Sequence, residues 1–70
     1  MEQAQPENLF KLKTFKMPYG KHKDRLLIDL PEPYVVWIHE NQLPKGELGL
    51  LFRELYEIKV NGLEYLIRSL

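Results

Sequence analysis

The chain has 70 residues, 44% of them apolar, and its ten cationic side chains balance ten carboxylates. That length allows one small domain, whose core supplies only about 3–5 kcal/mol. Cysteine is absent and the two histidines, His22 and His39, stand far apart, so neither a disulfide nor a metal site is expected to staple the fold, and no cofactor is expected. No apolar run reaches the roughly 18 residues of a membrane-spanning helix. The polar, acidic start Met1-Glu2-Gln3-Ala4-Gln5-Pro6-Glu7 is unlike a signal peptide, so a cytoplasmic protein without a membrane partner is expected.

Residues 1–8 read as a disordered tail ahead of a single domain over residues 9–70. Leu9, Leu12 and Phe15 mix periods. Lys13 to Tyr19 alternates as a strand would, and Pro18 confines that strand to an edge. Gly20-Lys21-His22-Lys23-Asp24 has turn composition. A second strand is expected over Arg25–Leu30, with Leu26, Ile28 and Leu30 on one face, giving an antiparallel β-hairpin. An isolated hairpin is marginal in water, so helices must cover it.

Pro31-Glu32-Pro33 ends that strand and suits a helix start, predicting a helix over residues 33–42. Leu43-Pro44-Lys45-Gly46 interrupts. A longer helix follows from about Gly46 to Val60, with Leu48, Leu51, Phe52, Leu55, Tyr56 and Ile58 as its apolar stripe. Glu47, Arg53, Glu54, Glu57 and Lys59 are assigned to its wet faces. Asn61-Gly62 is a strong stop, and Leu63, Leu66, Ile67 and Leu70 mark a short last helix. The expected fold class is therefore α+β: a hairpin followed by two to three packed helices. Tyr19, Tyr34 and Trp37 are the aromatic candidates for base stacking; the core reading is preferred for Trp37, expected to be buried with Leu51, Phe52 and Leu55, because a large buried aromatic dominates a small core.

The zero net charge hides a sharp asymmetry. Lys11, Lys13, Lys16, Lys21, Lys23 and Arg25 lie within fifteen residues that carry one carboxylate, Asp24. Concentrated positive charge calls for an anionic partner. In an extended segment Lys21, Lys23 and Arg25 would share a face that could lie along a phosphate backbone, with Tyr19 beside it as a stacking platform. Lysines in a turn also keep an edge hairpin from pairing, without any ligand. His22 lacks partners for metal binding or general-base work and reads as a solvent-exposed turn residue or one phosphate contact among several. His39 reads as a complement to a helix C-terminus. Nucleophile elbow, phosphate loop and dinucleotide fingerprint are all missing, so no enzyme is expected.

Tyr19-Gly20-Lys21-His22-Lys23, Leu27, Asp29-Leu30-Pro31, Tyr34 and Trp37 resemble a compact module at the C-terminal end of exodeoxyribonuclease X-type exonucleases. That resemblance covers about residues 15–38 and implies an accessory role in nucleic-acid binding. Asp24 stands where the module usually has Gly, and its charge weakens phosphate attraction. With Leu43-Pro44-Lys45-Gly46-Glu47-Leu48-Gly49 and Tyr56-Glu57-Ile58-Lys59-Val60-Asn61-Gly62-Leu63, the chain resembles a family of short bacterial proteins over roughly residues 9–70. That family is labelled putative quorum-sensing-regulated virulence factor, a regulatory association that implies no mechanism.

The leading expectation is a small non-enzymatic module that binds DNA or RNA, single-stranded or at ends, through Lys16, Tyr19, Lys21, His22, Lys23 and Arg25. The alternative is an adaptor that binds a protein partner, or a second copy of itself, through its C-terminal helices.

Overall fold

In the computed structural model, which describes residues 6–70, the chain folds into α1 (Pro6–Thr14), a 3-10 turn (Leu27–Asp29), α2 (Glu32–Asn41), α3 (Gly46–Val60) and α4 (Glu64–Arg68). The fold is mostly helical, and no β-strand occurs among the described residues. The α+β expectation is thereby corrected. Residues 1–5 of the expected tail lie outside the described residues; residues 6–8 form the first turn of α1.

Both expected strands fail for identifiable reasons. Residues 13 and 14 belong to α1, where Glu7 sits in the first turn and Lys11 and Lys13 in the last, matching the helix dipole. Leu9 and Leu12 then follow helical spacing, with Leu12 fully buried. On the other side, Leu27, Ile28 and Leu30 are all buried, and adjacent Leu27 and Ile28 cannot both face one side of a strand. A 3-10 turn directs them inward together. The hairpin shrinks to one antiparallel bridge, Lys16 to Leu26. Met17 N–H donates to Arg25 C=O (2.8 Å) and Leu27 N–H to Phe15 C=O (3.0 Å).

The helical half follows the sequence closely. In α3, Leu51, Phe52 and Leu55 are buried, while Leu48, Tyr56 and Ile58 are partly buried against the same core. Asn61 and Gly62 end the helix: Leu63 N–H reaches Ile58 C=O (2.9 Å) and Gly62 N–H reaches Lys59 C=O (3.2 Å), a Schellman closure. Helix α2 packs on α3 through Val35 and Ile38, whereas α1 lies against α3, α4 and the 3-10 turn. Met17 and Ile67 complete the core. Gly49 is buried inside α3, and a Cβ built on it would lie 2.0 Å from the Pro44 carbonyl oxygen, so the loop between α2 and α3 rests on bare backbone.

Two expectations about burial are overturned. Trp37 is 48% exposed rather than core. At about 100° per residue it lies some 200° around α2 from Val35, and the buried stripe is too narrow to include it. Lys59, assigned to a wet face, is 7% exposed. Its Nζ donates to Ile28 C=O (2.8 Å) and lies 3.8 Å from a Glu64 carboxylate oxygen. Arg68 joins the same knot, donating to Asp29 Oδ1 (2.8 Å) and Ile28 C=O (3.4 Å). Two cations thus tie α3 and α4 to the 3-10 turn.

Candidate nucleic-acid interface

The loop between the two bridge residues projects the charge. Gly20 has φ +83° and Asp24 has φ +72°, two left-handed residues that let the chain turn back within five positions. Lys23 N–H bonds Gly20 C=O (3.1 Å), Arg25 N–H bonds His22 C=O (3.1 Å), and Asp24 N–H returns to Met17 C=O (2.8 Å). The segment is coiled rather than extended, so Lys21, Lys23 and Arg25 do not alternate along a strand as expected. Asp24 fills a left-handed position with a residue that tolerates it.

The six clustered cations divide by partner. Lys11 pairs with Glu47, and Lys13 donates to the Arg68 and Leu70 carbonyls, so both hold the fold. Lys16, Lys21, Lys23 and Arg25 are exposed, and none has a carboxylate within ion-pair distance among the described residues. Arg25 donates only to the Asp29 C=O (3.3 Å) among the side-chain hydrogen bonds described. These four are the cations the loop leaves to solvent.

Aromatic rings stand beside them. Tyr19 is 49% exposed. The His22 ring meets Tyr34 edge-on, with centroids 4.5 Å apart, and is half-buried rather than fully exposed. Burial, then the charges of Arg25 and Lys21, hold the His22 pKa below its ordinary value. Burial, with the Tyr19 phenol as a second cause, pushes the Tyr34 hydroxyl up. A Cβ on Gly20 would lie 3.6 Å from the Tyr34 hydroxyl oxygen, so Tyr34 of α2 stands against the turn. Trp37 follows Tyr34 by three residues, about 60° around α2, which places it one helical turn from the side chain that meets the basic loop. The sequence reading names Trp37 as an aromatic candidate but prefers the core for it; the narrow Val35/Ile38 stripe puts it on the surface.

His39 does not join this surface. It lies flat against Tyr56, centroids 3.9 Å apart, in the last turn of α2. Among the described residues no three His, Asp or Glu side chains converge as metal ligands would. No helix among them is long and apolar enough to cross a membrane.

The expected site residues therefore form one loop, and of the aromatic candidates on α2 Tyr34 meets that loop while Trp37 is exposed. The expected likeness of residues 15–38 to the exonuclease module is not shown by the matches found. No solved structure matches the chain. An uncharacterized protein, YpeB, of Escherichia coli strain K12 is 42% identical over 65 residues, covering 91% of this chain and 90% of the relative. A YpeB of Escherichia coli O157:H7 matches with the same identity and coverage. The sequence model of a family described as "Putative quorum-sensing-regulated virulence factor" matches residues 5–70, nearly the whole domain, and the chain belongs to that family.

Proposed function

We propose that the protein is a small non-enzymatic module that binds nucleic acid through the loop Lys16–Arg25. The observation that supports this reading is the division of cations: Lys11, Lys13, Lys59 and Arg68 are taken up by the fold, while Lys16, Lys21, Lys23 and Arg25 face solvent on one short loop. A polyanion releases counterions on binding such a loop, so affinity falls with salt, with a log–log slope of about −0.7 per phosphate neutralised on single strands. Four contacts give a slope near −3 on that rule. Replacing Lys21 and Lys23 together by Ala is expected to flatten the slope by about two contacts' worth and to weaken all sequences alike. Fluorescence anisotropy of labelled oligonucleotides across a salt series measures this. No binding to single or double strands at low salt would remove the reading.

A second reading has its own support. Tyr65 is 62% exposed on α4, and Leu66 and Leu70 are also exposed nearby in the sequence. Such residues suit a protein-interaction surface, used by an adaptor or a homodimer. Sedimentation over a concentration series tests the self-association arm.

A further inference from the structure

We infer that Trp37 is a base-stacking platform and that the ligand of the basic loop is single-stranded nucleic acid rather than duplex. The inference rests on the nucleic-acid reading above and deepens it. Three observations lead to it.

Trp37 is the only tryptophan, and folding leaves about half of it in water. An indole is the most costly side chain to leave wet in a domain with so small a core, and Val35 and Ile38 show that α2 has a dry face. The Trp37 backbone carbonyl accepts from the Asn41 side-chain amide (3.1 Å). The ring is not held by a hydrogen bond of its own among the described residues.

The ring also has suitable neighbours. Tyr34 stands one helical turn before it and touches the loop through His22 and Gly20. Tyr19 lies on the loop itself, half-exposed. Tyr19 thus shares the loop with Lys21, Lys23 and Arg25, and Trp37 lies one turn along α2 from Tyr34, the side chain that meets His22 of that loop. Cations alone would serve duplex and single strand equally. Rings are useful only to bases that have left the stack, because a duplex hides base faces from the protein.

The test uses the intact chain and a short oligothymidylate at low salt, with anisotropy reporting binding and the single tryptophan reporting contact. Both signals are expected to change with one midpoint. An abasic oligomer of the same length keeps every phosphate; it is expected to bind more weakly and to leave the tryptophan emission unchanged. Trp37→Ala is expected to weaken oligothymidylate binding roughly ten-fold, with the salt slope and the abasic affinity unchanged, since stacking releases no counterions. Trp37→Phe should restore much of the loss, and circular dichroism checks that both variants fold. Binding with unaltered tryptophan emission, or a Trp37→Ala variant as tight as the parent, overturns the inference while leaving the cationic loop as the binding site. Equal affinity for a duplex of the same sequence overturns the single-strand assignment. Absence of binding by any oligomer removes the inference together with the reading beneath it.

Discussion

Asp24 carries two opposed effects on one residue. Its left-handed backbone strains a side chain that has a Cβ, by roughly 1 kcal/mol relative to Gly. Its carboxylate is the only negative charge in the loop. Asp24→Gly is expected to relieve the first and remove the second, so thermal unfolding should move upward and oligonucleotide affinity should rise. Asp24→Ala removes the charge but not the strain, so its affinity should rise while its stability does not. Melting curves and anisotropy on the two variants separate the effects. If neither variant binds more tightly at low salt, Asp24 does not face the ligand.

At the scale of elements, the sharpest check is Gly49 inside α3. Propensity alone favours Ala over Gly in a helix by about 1 kcal/mol. Contact with the Pro44 carbonyl argues the other way, because backbone cannot swing aside as a flexible side chain can. Overpacking of this kind costs about 1–3 kcal/mol, so Gly49→Ala should lower the urea midpoint. A more stable Gly49→Ala protein would mean that the α2–α3 loop does not rest on α3.

The same scale shows where the sequence was legible. Helices α2 and α3 were readable because long apolar periodicity, Pro31-Glu32-Pro33 and Asn61-Gly62 agree with one another. Residues 9–30 were not. Lys13–Tyr19 alternates as a strand would, and the polar start reads as a tail, although Glu7 in the first turn and Lys11 and Lys13 in the last suit the dipole of α1. Over Leu26–Leu30 the alternating reading ignored Leu27, whose burial beside Ile28 is the mark of a turn. Trp37 failed for a different reason: helical spacing from Tyr34 says that two residues share a side, not that the side is dry. The loop was legible as a basic turn, but the partition of its cations into tied and free depends on contacts across the fold, such as Lys11 with Glu47.

For the whole molecule, Lys59 is the central tie. Its Nζ bonds Ile28 C=O in a buried place shared with Arg68. Burial lowers its pKa below 10.5, with Arg68 adding to that, while Glu64, Asp29 and Glu32 oppose it. The unfolded chain then holds this proton more tightly than the folded one. Stability from this group therefore rises with pH between the folded value and 10.5. Lys59→Met should remove that rise and leave the Ile28 carbonyl with only its longer bond to Arg68, costing about 1–3 kcal/mol at neutral pH. Urea unfolding of parent and variant across the alkaline range measures both effects, and parallel curves would place the titration elsewhere.

The bridge at Lys16 and Leu26 has a consequence for how this family can change over time. The loop between them is closed by its own backbone bonds and, past Met17, sends no fully buried side chain into the core. Substitutions at Lys21 and Lys23 are therefore almost invisible to folding, whereas those at Gly20 meet backbone strain and those at Tyr34 disturb the wall that supports the turn. Selection acting on folding and selection acting on the ligand fall on separate positions of one short segment. A mutational scan that scores abundance and binding in parallel should split these residues into two groups, and the loop could be exchanged for another of the same closure while the helices beneath it stay as they are.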